Sequence, residues 1–395
     1  HRQPIYEKDR IDPLDPAVKL ELDQTALATF PEGYRHLAYI QTRIGYNVKM
    51  DMPMLKGEGV QDLYRRGANW LAGKPLERWT MLNRRHLRIK VLQMLYAFYQ
   101  SEEKDWVKVD KELSLSLERL YDMYLFLLLT FEPLVRAAEN KIEDRRKKLR
   151  PTPEDLNPNL RFVSNPVMEA IIGSDALNAL SNKRKVNWSG AENQEIFRKL
   201  FLQVLESENY TLYMMDPSHG WEQDRKYVLQ LFKDEIANSP QLYHFFEERS
   251  IYWMDDLDLC CSMVLKTLKS MEEGAAFHPL PLFKDEEDES TFIHDLLKKT
   301  IAHNEEHEAM IEALTDNWEM DRIAKMDLLL LKMGLSEFLY FPSIPTKVTI
   351  NEYIEISKFY STPKSNIFIN GILDKMVMEL KKNKRLVKTG RGLMD

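Results

Sequence analysis

A chain of 395 residues with 44% hydrophobic and 30% charged residues is long enough for two or three buried cores and too apolar for a disordered polyelectrolyte. Its formal net charge of −7 excludes a uniformly basic nucleic-acid binder, so any contact with nucleic acid must come from a local basic patch. With only 14 Gly and 18 Pro, the composition favours helices over a turn-rich all-β fold.

Residues 1–80 read as a small irregular segment of unassigned role, a fragment or a fused piece. Arg10 to Pro16 is Pro-rich, Phe30-Pro31-Glu32-Gly33 is a turn, short helices are expected over 34–45 and 60–71, and Gly73-Lys74-Pro75 reads as a linker. From Met81 the pattern changes, and residues 81–110 form the opening helical part. Leu87, Val91, Met94, Leu95 and Phe98 repeat at helical spacing, behind a start that holds Arg84, Arg85, Arg88 and Lys90.

Residues 111–290 read as a long helical insertion. A helix is expected over 113–149, crossing Pro133, with others over 166–180, 193–206, 222–237 and 240–272. The adjacent Cys260 and Cys261 have no zinc-binding spacing and suit a reduced cytoplasmic protein. The longest apolar run, Met123 to Phe131, is far short of the ~20 residues a bilayer span needs, so no membrane is expected as a partner. The acidic run Asp285 to Glu289 is expected to precede and cap a helix from Thr291.

Residues 291–382 form a C-terminal helical bundle. Ile323, Met326, Leu330, Leu331 and Leu335 mark a buried helix that stops near Tyr340, before Pro342 and Pro345. Thr349-Ile350-Asn351-Glu352 has the form of a capping box, with Thr349 as the N-cap. Thr362-Pro363 is expected to open the last helix, which buries Ile369, Ile372, Leu373, Met376 and Leu380. Asn370-Gly371 reads as a site of close helix approach, and residues 383–395 as a basic tail.

Three pieces, in order, carry a family resemblance. Asn83 to Tyr96 resembles the arginine-rich opening helix of the NusB family. Asn317-Trp318 to Leu380 resembles its C-terminal half, through Ile344-Pro345, Thr349-Ile350-Asn351-Glu352, Glu355 to Phe359 and Phe368 to Asp374. Phe292 to Leu297 is similar to the helix before that half. The resemblance covers roughly 81–105 and 290–382. It implies an all-α fold of two packed helical bundles with a large helical insertion, and an RNA-binding adaptor in place of an enzyme. The implied partners are the boxA RNA of the ribosomal RNA leader, the ribosomal protein NusE, and the antitermination complex on RNA polymerase.

On that resemblance the RNA-binding residues are Arg84, Arg85, Arg88 and Lys90, with Lys358 and Lys364 extending the track. Guanidinium groups neutralise phosphates and stack on unpaired bases. Tyr96, Asn351 and Glu352 are the partner-binding residues on that resemblance, although core packing explains Tyr96 at least as well, and helix capping explains Glu352 without a partner and is the favoured reading for Asn351 and Glu352. Two other readings stand beside this one. One is a helical interaction scaffold without specific RNA binding. The other is a zinc hydrolase, because His303-Asn304-Glu305-Glu306-His307 matches the H-x-x-E-H pattern, which still lacks a third ligand.

Overall fold

A computed structural model describes residues 80–102, 104–253, 255–315 and 323–393. The readings made for residues 1–79, and the Asn317-Trp318 start of the C-terminal resemblance, lie outside the described residues. The described residues are helical and contain no strand. They fall into two compact units, one holding 82–115 and 283–393, the other 80–81 and 116–282.

In chain order, α1 (Arg84–Gln100) starts at Asn83, whose side chain accepts from the backbone N–H of Arg85 and His86 at 3.0 Å each. The His86 ring accepts the Asn83 N–H in return, which satisfies donors that a helix start otherwise leaves bare. Next, α2 (Trp106–Leu128) belongs to the first unit up to Leu115 and to the second from Ser116.

The second unit continues with α3 (Phe131–Arg146), α4 (Pro153–Leu156), α5 (Pro166–Ile172), α6 (Asp175–Arg184), α7 (Ala191–Glu206), α8 (Glu208–Met215), α9 (Trp221–Leu231), α10 (Pro240–Arg249) and α11 (Leu257–Lys269). The expected helix over 113–149 is thus two. A turn at Leu129-Thr130 places Pro133 in the first turn of α3, where its missing N–H costs nothing. The expected 240–272 helix is also two, separated by a short 3-10 turn over Ile251–Trp253. The core of this unit is aromatic. Trp188 lies edge-on to Phe126 and Phe197 and beside Phe245, and its indole N–H donates to the Phe126 carbonyl at 2.9 Å.

The first unit resumes with α12 (Glu286–Ala302), α13 (Asn304–Leu314), α14 (Lys325–Tyr340), α15 (Thr346–Tyr360) and α16 (Ser365–Lys382). Its centre is α14, which touches α1, α12, α13, α15 and α16 and is buried almost throughout. The apolar series expected for α1, α14 and α16 is buried at every named position. Gly334 makes the tight packing possible: a Cβ there would lie 2.8 Å from Leu373 Cδ2 and 3.5 Å from Tyr353 Cδ2.

Several local expectations need correction. The acidic run does not sit ahead of its helix: Asp285 is the N-cap, accepting from Asp288 N–H at 3.1 Å, and Glu286 to Glu289 form the first turn. Thr349 is not an N-cap either, because α15 begins three residues earlier, after Pro345, and Thr349 is buried within it. The last helix starts at Ser365, two residues beyond Pro363. There Ser365 Oγ donates to Asp327 Oδ2 at 2.6 Å and Ser361 Oγ to Asp327 Oδ1, so a carboxylate at the head of α14 holds the α15–α16 turn. Asn370 and Gly371 face solvent, and nothing lies within 4 Å of a Cβ placed on Gly371; the close approach belongs to Gly334.

Residues 383–393 are not a loose tail. Arg385 pairs with Glu306, Lys388 Nζ donates to the Phe341 carbonyl at 3.1 Å, and Thr389 N–H donates to the Pro342 carbonyl at 3.0 Å.

Candidate functional site at the start of the first helix

The four cations at the start of α1 meet very different surroundings. Arg84 Nη2 donates to Asp288 Oδ2 at 2.6 Å, and its guanidinium lies 4.1 Å from the centre of the Phe292 ring, with a third of the side chain exposed. Arg85 makes a two-pronged pair with Glu352, Nε to Oε2 and Nη2 to Oε1, both at 2.9 Å. That hydrogen bond, with burial acting against it and the Glu352 charge acting for it, holds the Arg85 guanidinium above its ordinary value. Its side chain stays 38% exposed against 19% for Glu352.

Arg88 is 1% exposed. Its Nε and Nη2 donate to the two oxygens of Glu337 at 2.8 and 2.6 Å. Burial alone would favour the neutral form, but the charge and hydrogen bonds of Glu337 more than offset it and keep Arg88 protonated. Glu337 also accepts from Thr349 Oγ1 at 2.7 Å and from the Tyr353 hydroxyl at 3.1 Å, which accounts for the side chains of the Thr349 and Tyr353 turn. Lys90 is 4% exposed.

The expected RNA track is therefore corrected at two positions. Arg88 and Lys90 lie on the buried side of α1, because each stands a helical repeat ahead of core residues, Val91 and Leu95 for Arg88, Met94 and Phe98 for Lys90. Arg88 anchors α1 to α14, and a binding test that replaces it would measure folding. Of the other named residues, Lys358 is exposed and pairs with Glu355, Lys364 is exposed at the residue before α16, Asn351 is exposed and Tyr96 is half-buried. The structure brings Arg85 and Glu352 together, with Arg88 Nη1 3.8 Å from the same Glu352 carboxylate.

Sequence reasoning missed Glu337 and Phe292. A single carboxylate within the apolar run Leu328 to Tyr340 was the available signal, since a buried acid needs a buried cation.

His303 and His307 do not share a single helix interior. His303 stands at the junction of α12 and α13 and stacks on Tyr340 at 4.7 Å, while His307 is fully buried, both ring nitrogens lacking a hydrogen-bond partner. Burial, aided by the neighbouring His303 charge, pushes the His307 imidazole down to about 4. Among the described residues there is no group of three or more His, Cys, Asp and Glu arranged to hold a metal ion. Among them, too, no helix is long and apolar enough to cross a membrane.

Two kinds of comparison with known proteins give matches. The profile described as "NusB family" matches residues 262–378, from within α11 to within α16. The match thus begins inside the stretch assigned to the insertion and leaves α1 outside. A curated relative, "Transcription antitermination protein NusB" of Salinibacter ruber, is 43% identical over 138 residues, 33% of this chain and 86% of the relative. Relatives with the same name from Chloroherpeton thalassium and Natranaerobius thermophilus are 43% and 40% identical over 104 and 91 residues. These alignments take in 26% and 23% of this chain, and the chain spans 49% and 66% of those relatives' lengths. No solved structure matches. A profile match across α12 to α15 and into α16, and a relative aligned over most of its length at 43% identity, lead to one conclusion: the chain belongs to the NusB family.

Proposed function

We propose that the chain is an RNA-binding transcription antitermination factor that meets single-stranded boxA RNA along the outer edge of α1. It acts together with ribosomal protein NusE to assemble an antitermination complex on RNA polymerase. The observation that carries this reading is the alignment over 86% of a relative named for transcription antitermination. The geometry adds a chemical reason: Arg84 and Arg85 keep a third or more of their side chains open to solvent on a helix held rigid by the buried Arg88–Glu337 pair. Such groups neutralise phosphates and stack on splayed bases. Exposed Lys364, and Lys358 once it exchanges Glu355 for phosphate, extend the track; Tyr96 and Asn351 are left for the protein partner.

The test is a titration of boxA single-stranded RNA, with and without NusE, on the parent and on Arg84→Ala/Arg85→Ala. Loss of two phosphate contacts flattens the dependence of log K on log salt by about 1.4 and weakens binding at moderate salt, with helicity unchanged. Equal affinity for a scrambled strand, with no effect of NusE, would leave the interaction-scaffold reading standing in its place.

A further inference from the structure

The two solvent-facing arginines are both already occupied. Glu352 takes both prongs of Arg85 at 2.9 Å, and Asp288 takes Arg84 at 2.6 Å. The surroundings add further negative charge: Glu355 acts on Arg85, and Glu286, Glu287 and Glu289 share the first turn of α12 with Asp288. A phosphate arriving at Arg85 exchanges one charge-assisted pair for another, and it leaves the displaced Glu352 carboxylate as a like charge nearby. The exchange gains little by itself. Only a ligand that adds contacts elsewhere recovers the difference.

We infer that Glu352 and Asp288 are counter-ions that set the affinity threshold of the arginine edge: they hold Arg85 and Arg84 against generic polyanions, so that only a single-stranded RNA that also makes base or partner contacts binds well. This inference rests on the RNA-binding reading of the same edge. It recasts Glu352, expected from the sequence to face a protein partner, as the counter-ion of an RNA contact. A repulsive element of this kind lowers affinity for every polyanion by a similar factor, so that only those with further contacts still bind to a useful extent. The exposures suit the role. Arg85 is 38% open and Glu352 19%, while Arg84 and Asp288 are 33% and 65% open, so both pairs can part without unfolding the helices that carry them. The Arg88–Glu337 pair, at 2% and 0%, cannot.

The experiment uses the full chain with Glu352→Gln, which keeps shape and a hydrogen-bond acceptor and removes the charge. The exposed Asp288→Asn is the second variant. Affinity is measured across a salt series for a boxA single strand and for a scrambled strand of equal length and composition, with thermal melting as the check on folding. For Glu352→Gln, both strands should bind roughly threefold to tenfold tighter, which brings the scrambled strand into the range the parent reserves for boxA, and the salt slope should steepen by about 0.7. Asp288→Asn should move in the same direction by a smaller factor. Weaker binding of both strands by both variants would overturn the inference, since the carboxylates would then merely position the arginines; so would unchanged affinity. A parent that binds both strands equally defeats the boxA reading alone, and the change on removing the carboxylate still decides the inference. A parent that binds neither strand overturns both.

Discussion

Arg85 and Arg88 stand three residues apart on one helix, and each donates two hydrogen bonds to a carboxylate of its own, Glu352 for Arg85 and Glu337 for Arg88. At the outer turn the pair is open to water, which screens the charges and lets either partner leave. At the inner turn Glu337 accepts from Arg88, Thr349 and Tyr353 at once, and no water competes. The same chemistry thus gives a pair open to solvent in one place and a structural anchor in the other. What separates them is burial, since the residue types are the same.

The comparison breaks most sharply at Glu337. Replacing it with Ala leaves the Arg88 guanidinium buried without its partner, so denaturant unfolding should show a loss of about 3–5 kcal/mol. A loss under about 1 kcal/mol would mean that the inner turn is as exchangeable as the outer. His307, on α13, gives the next largest effect. Its folded imidazole titrates near 4 and the ordinary value is 6.5, so as the pH falls below that ordinary value the unfolded chain takes up the proton first. Stability contributed by neutral His307 is therefore complete above about pH 6.5 and drains away towards pH 4, by roughly 2–3 kcal/mol. Urea unfolding of the parent and of His307→Leu at about pH 7 and pH 4.5 checks this: the variant should lose that much less on acidification. The smallest effect belongs to the outer turn. Arg84→Ala should change stability by under about 1 kcal/mol, because its ion pair is open to solvent and only the stacking on Phe292 is lost. A melting midpoint as depressed as that of Glu337→Ala would erase the distinction between the turns.

The sequence made the helices of the first unit readable because their buried residues recur at a fixed spacing. Leu87 to Phe98, Ile323 to Leu335 and Ile369 to Leu380 each trace one stripe, and each stripe is buried. The same periodicity already held the answer for Arg88 and Lys90, which fall on the stripe of α1. Their charge argued for solvent, and only the fold shows the carboxylate that reverses that argument for Arg88. Capping was harder to read. Thr349 and Glu352 have the right spacing for a box, but each side chain has a distant partner, Glu337 for one and Arg85 for the other. The aromatic core of the second unit was beyond reach for the same reason. Trp188 meets Phe126 across 62 residues, and no local pattern encodes that pairing. The expected helix over 166–180 is two in the structure, because Ser174 caps a new start at Asp175, whereas the start expected at 240 stands, with Ser239 as its cap.

Gly392 carries a consequence for the chain's last stretch. A Cβ at that position would overlap the Pro342 carbonyl oxygen, with the next carbons just beyond. Sliding the strand of residues by a single step in either direction would drive Arg391 or Leu393 into a slot that admits hydrogen alone. One residue without a side chain therefore works as an index mark, setting which amide meets which carbonyl along the returning segment and keeping Lys388 and Arg385 at their assigned acceptors.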